Sequence, residues 1–169
     1  QTANRIANVE EYYFSKKLAE VRRLDSPEWR VINLGIGSPD MAPSVSTIQA
    51  LTATAEKPSS HGYQNYKGIP ELRKAIAEFY NRTYEVNLNT ETEILPLMGS
   101  KEGIMHIAMA FVNEGDEVLI PDPGYPTYSS VAKLVGAEIR TYNMSEELDW
   151  GVDIEVLKKS DLSKVKIMW

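Results

Sequence analysis

Three features of the sequence predict an α/β fold with a mostly parallel sheet and helices on both faces. Short apolar runs alternate with segments of helical period. Proline or glycine punctuates most junctions between them. In the second half, successive runs are separated by enough residues for a helical crossover, which a parallel strand pair requires.

Residues 4–24 form the first predicted helix, a helical arm. Ile6, Val9, Tyr13, Leu18 and Val21 fall at mostly helical separations, and Pro27 follows shortly after. Arg30–Gly35 reads as a short strand that breaks into the turn Gly35-Ile-Gly-Ser-Pro-Asp40. A helix over 44–55 starts after Pro43, and Pro58-Ser-Ser-His-Gly62 has loop chemistry. Pro70 opens another helix, with Leu72, Ile76, Phe79 and Tyr80 on one face.

Glu93–Met98 then leads into Gly99-Ser100, placed at a strand end. A helix follows with Ile104, Ile107, Ala108 and Phe111 on one face. Glu117–Ile120 is a short apolar strand, Tyr125–Val135 is helical, and Gly136 closes that helix. Ala137–Tyr142 reads as a strand, Asp153–Lys158 as a helix and Val165 onward as the last strand.

Composition narrows the function. The chain has 169 residues, close to one domain on the usual prior of about 150 residues each. Eighteen basic and 24 acidic residues give a net charge of −6, which argues against binding a nucleic-acid backbone. The absence of cysteine excludes disulfides, thiolate metal sites, cysteine nucleophiles and iron–sulfur clusters. Two histidines offer little metal chemistry, so no metal is expected, and His61 and His106 read as packed or surface residues. No apolar run nears the roughly 20 residues of a membrane helix and no signal peptide opens the chain. A cytoplasmic location is expected. The chain starts at Gln1 and stops in the apolar run Val165–Trp169, so a longer polypeptide is expected.

Ligands of open α/β sheets gather beyond the carboxyl ends of strands. Met98-Gly99-Ser100-Lys101-Glu102-Gly103 fits such a place. Gly99 admits close backbone approach, Ser100 offers a hydroxyl, and first-turn N–H groups carry the positive end of the helix dipole. Alone, the segment reads either as an ordinary capped helix, the commoner case, or as a phosphate-sized anion site. No Walker run is present, and Gly35–Asp40 lacks the third glycine of a dinucleotide fingerprint. In Asp122-Pro-Gly-Tyr-Pro-Thr-Tyr128, two prolines and a glycine fix a loop that displays Tyr125, an aromatic able to stack on a flat ligand.

Four segments in order carry a resemblance: Asn33-Leu-Gly-Ile-Gly-Ser-Pro-Asp40, Gly62-Tyr-Gln-Asn-Tyr-Lys-Gly-Ile-Pro-Glu-Leu-Arg73, Gly99-Ser-Lys-Glu-Gly103 and Asp122–Tyr128. Together they resemble the class I/II aminotransferases of fold type I, which use pyridoxal 5′-phosphate. The opening Glu11-Tyr-Tyr-Phe-Ser-Lys-Lys17 resembles the LL-diaminopimelate aminotransferase branch.

The resemblance implies roles for particular residues. Ser100 and Lys101 match the phosphate-binding turn, and Tyr125 the aromatic that stacks on the pyridine ring. Tyr63 matches a tyrosine that reaches the cofactor phosphate of the neighbouring subunit, which implies a homodimer with shared active sites. Gly37 matches the glycine whose backbone contacts the substrate carboxylate, and Tyr12 a substrate-contacting tyrosine. The family's Schiff-base lysine and the Asp that pairs the pyridinium nitrogen match no residue of this sequence. No catalytic residue is therefore assigned, and these 169 residues are expected to be inactive alone. Residues 1–30 correspond to an arm and small-domain segment, and 31–169 to the first part of the large cofactor-binding domain.

The activity implied is transfer of an amino group from an α-amino acid to a 2-oxo acid. A β-lyase or decarboxylase of the same fold, or a non-catalytic module that keeps the phosphate turn, remain alternatives at this point.

Overall fold

The computed structural model describes residues 3–7 and 12–169, and the chain divides into two compact units. One is Tyr12–Pro96; the other joins Gln1–Glu11 to Leu97–Trp169.

In the first unit, helix α1 spans Tyr13–Leu24. It begins later than the predicted residue 4 because Tyr12 is extended, at φ −54° and ψ 122°. Asn4–Ile6 forms a turn of 3₁₀ helix instead, and residues 8–11 of that prediction lie outside the described residues. Spacing that is only mostly helical does not reveal where the α-helix begins.

Arg30–Gly35 is not a strand, and it bends at Gly35. No ladder partner lies beside it among the described residues, and side chains take over its backbone donors. Val31 N–H donates to Asp25 Oδ1 at 2.9 Å, and Gly35 N–H to Asn33 Oδ1 at 2.9 Å. Helix α2, Val45–Ala55, starts as its punctuation predicts, with the Ser44 hydroxyl accepting from Thr47 N–H at 3.3 Å. A 3₁₀ turn at Pro58–His61 follows, and His61 Nε2 donates to the Ala55 carbonyl at 2.8 Å, so this histidine closes a helix end.

Helix α3, Pro70–Tyr84, carries its proline in the first turn, where the missing N–H costs nothing. Of its predicted apolar face, Ile76 is half-buried while Leu72, Phe79 and Tyr80 are exposed. The buried residue of this helix is Arg73.

Glu93–Met98, which runs from the end of the first unit into the second, forms no strand, so the turn that enters helix α4 does not follow a strand end. Helix α4 spans Ser100–Phe111. Ile104 and Ala108 of its predicted face are buried, whereas Ile107 and Phe111 are exposed. The buried row runs along i, i+4 from Ile104 to Ala108, which packs on Val131.

Strands β1 (Glu117–Asp122), β2 (Glu138–Asn143) and β3 (Val165–Met168) form a parallel sheet in the order β2-β1-β3. Helix α5, Pro126–Leu134, joins β1 to β2, and Gly136 ends that turn at φ +78°. Helix α6, Ile154–Lys159, precedes β3, with Asp153 Oδ1 accepting from Val156 N–H at 3.0 Å.

Alternation along β1 sorts its side chains between two faces. Val118 and Ile120 pack with Val112 and Ala132, beneath α4 and α5. Leu119, 1% exposed, points the other way and lines a cavity of about 410 Å³ with Val156 and Leu157 of α6. The parallel α/β architecture is thus as predicted. Among the described residues no helix is long and apolar enough to cross a membrane, and no group of acidic residues and histidines could hold a metal.

Candidate cofactor-binding site

The turn into α4 is shaped by Gly99, at φ +93°, a conformation that disfavours any side chain. Nothing lies within 4 Å of where its Cβ would be, so the backbone there is open to a ligand. Gly99 caps α4 without a side-chain bond, which leaves the first-turn N–H groups aimed outward with the dipole's positive end. Glu102 braces the turn: its Oε2 accepts from Met98 N–H at 2.6 Å, while Oε1 lies 3.7 Å from His106 Nε2. Leu97 packs back on Gly103, where an added Cβ would meet its Cδ1 at 2.6 Å.

The second element of the site is the loop after β1. Tyr125 is the N-cap of α5, and Pro126 fixes the start of that helix. Its ring is 40% exposed, and Lys101 Nζ stands 5.7 Å from the ring centroid, within cation–π range. Hydrogen bonds from Thr127 and then Lys101 hold the Tyr125 phenol below its ordinary 10.0, and the Lys101 charge adds to them.

A file of rings supports Tyr125 from behind. Tyr128 meets it edge-on at 5.7 Å and 79°, and Trp169 stacks on Tyr128 at 5.4 Å and 5°. Tyr142 donates its hydroxyl proton to the Trp169 carbonyl at 2.6 Å.

One unit thus brings together Ser100, Lys101 and Tyr125 of the predicted residues. In the other unit, Tyr12 and Gly37 line one pocket of about 350 Å³ with Phe14 and Ile36. Tyr63 joins neither group; its side chain is 99% exposed in the loop after Gly62. Sequence reasoning missed Glu102, Thr127 and Tyr128. Thr127 and Tyr128 were legible as positions in the first turn of a helix capped by Tyr125, which places them beside it.

A positive-φ glycine with open space around it, a helix N-terminus, a cation and a half-exposed ring form one donor set. It fits an anionic phosphate joined to a flat ring.

The family model for aminotransferase class I and II matches residues 30–169. The chain belongs to the class I and II aminotransferases. The family's cofactor is pyridoxal 5′-phosphate, a flat ring carrying one phosphate. An LL-diaminopimelate aminotransferase from Dehalococcoides mccartyi is 41% identical over 170 residues, covering 99% of this chain and 43% of that protein. Another, from Aquifex aeolicus, is 42% identical over 139 residues, covering 82% of this chain and 36% of that protein. The structure of apo-BacF from Bacillus subtilis matches with a TM-score of 0.90 at 34% identity, covering 99% of this chain and 43% of that one. The chain therefore spans less than half the length of these relatives.

The Tyr125 environment gives a prediction. Thr127→Val and Lys101→Met are each expected to raise the phenol toward 10.0, because the Thr127 bond is the largest single cause and Lys101 supplies both a bond and a charge. A folded-state value below the unfolded one adds stability as pH climbs through it, and that gain is lost as pH falls back. NMR titration of the ring resonances, assigned with Tyr125→Phe, measures both shifts; an unmoved phenol in Thr127→Val would refute the assignment.

Proposed function

We propose that the full-length protein carrying this chain is a pyridoxal-phosphate-dependent transaminase, working as a homodimer on an α-amino acid and a 2-oxo acid. The observation that carries this reading is the pairing of the open Gly99–Lys101 helix terminus with the Tyr125 ring. A donor of the LL-diaminopimelate class is supported by relatives of that name that match across nearly the whole chain. A cytoplasmic location goes with such a biosynthetic role.

In this reading residues 1–30 are an arm and 31–169 part of the cofactor-binding domain. Ser100 and the backbone of Lys101 hold the cofactor phosphate, and Tyr125 covers one face of the ring. The cofactor, once bound, supplies an electron sink for the pair left when the substrate's α-proton departs. Gly37 N–H meets the substrate carboxylate and Tyr12 lines the same pocket. Tyr63 reaches the cofactor phosphate of the neighbouring subunit. The 169 residues alone hold the phosphate and ring but do not transaminate.

The test is to incubate the full-length protein with LL-diaminopimelate and 2-oxoglutarate and to quantify glutamate. Stoichiometric glutamate with no free ammonia or carbon dioxide is the expected result. Ammonia or carbon dioxide released in its place would assign a lyase or a decarboxylase.

A further inference from the structure

Arg73 is the buried charged residue among those described, at 5% exposure. A guanidinium taken out of water needs compensation from its surroundings. Its carboxylate partner, Glu91, lies 3.2 Å away and is 68% exposed, a weak and screened contact. The compensation comes instead from carbonyls on two separate segments. Nη1 donates to Gly68 O at 2.6 Å and to Lys67 O at 3.3 Å, and Nε donates to Thr90 O at 2.8 Å.

The loop that Arg73 grips is fixed in other ways too. Gly68 N–H donates to Asn65 O at 2.8 Å and Lys67 N–H to Asn65 Oδ1 at 2.9 Å. Gly68 sits at φ +76°, and a Cβ there would meet Pro96 Cγ at 2.9 Å. Yet the aromatic side chains of this same loop are almost bare: Tyr63 is 99% and Tyr66 89% exposed. A buried charge is thus spent on a loop whose rings pack on little within their own unit. Such rigidity is useful when a ring must meet something outside, because its ordering cost is met during folding rather than on binding.

We propose that Arg73 is a positioning residue, fixing the 63–69 loop so that Tyr63 is held ready for the cofactor phosphate of the neighbouring subunit. This rests on the homodimeric reading above. Lysine cannot replace it, because a point-like ammonium does not span carbonyls that the planar fork reaches together.

The experiment is a double-mutant cycle on the full-length holoenzyme, reading the pyridoxal-phosphate dissociation constant and amide exchange over 63–69. Tyr63→Phe is expected to weaken cofactor retention by about tenfold, the scale of one lost charge-assisted hydrogen bond. Arg73→Lys is expected to speed loop exchange and weaken retention similarly, while the double variant is no weaker than the weaker single variant. If Tyr63→Phe changes nothing, the shared-site reading falls and this proposal with it. If Tyr63→Phe acts but Arg73→Lys only lowers stability, or the two losses multiply, Arg73 is structural and the proposal alone falls. Should Arg73→Lys fail to fold, Gly68→Ala displaces the same loop and takes its place in the cycle, with the same outcomes deciding.

Discussion

Alanine at position 124 is expected to abolish most cofactor binding while lowering stability by about 1–3 kcal/mol, the usual cost of forcing an atom into occupied space. A Cβ on Gly124 would overlap the carbonyl oxygen of Pro121, with Pro121 C and Cγ each 3.2 Å away. Two of those atoms are backbone, so the loop itself must move, and Tyr125 is the next residue. A displacement of about 1 Å at a binding group can cost on the order of 100-fold. Gly103→Ala is the control, because its obstacle is the flexible end of Leu97 and the helix gains propensity from alanine. Titrating both variants of the full-length protein with pyridoxal phosphate, alongside urea unfolding, separates them. Parent-like affinity in Gly124→Ala would refute the view that this glycine sets the ring's position.

Leu119→Ala is expected to cost about 3–5 kcal/mol, in the upper part of the range for buried leucines. The residue is 1% exposed on the central strand, so paired neighbours on both sides prevent the backbone from collapsing into the gap. Its carbonyl also accepts from Trp169 N–H at 3.0 Å, tying β1 to the end of β3. The side chain already borders the cavity beside α6, so truncation enlarges a void rather than opening a new one. Denaturant unfolding measures the loss. A change below about 1 kcal/mol would mean that α6 closes the space, contrary to the rigid-sheet argument.

Local signals made much of this fold legible. Strand β1, helix α5, strand β2, helix α6 and strand β3 are found within about two residues of their expected places. All but β3 have a proline, a glycine or a capping aspartate at one end, whose effects act within a turn. The segments Arg30–Gly35 and Glu93–Met98, expected as strands, form none and pair with no neighbour among the described residues. Apolar composition favours an extended backbone, but a strand also needs a neighbour, and no local pattern supplies one. The site was legible as residue types in the right kind of turn. Its geometry was not: the approach of Lys101 to Tyr125 depends on α4 and α5 packing through Ile104, Ala108 and Val131. Arg73 was visible only as one letter of a motif, because nothing in the sequence marks a charge for burial.

The ring file behind Tyr125 makes the protein its own optical probe. Of the three tryptophans of this chain, Trp29 is 81% and Trp150 53% exposed, and both are expected to emit as solvated indoles. Trp169 is half-buried and stacked on Tyr128, so its fluorescence is the blue-shifted component. A movement of Tyr125 that displaces Tyr128, its edge-to-face neighbour, is expected to change the colour and lifetime of Trp169 emission without an attached dye.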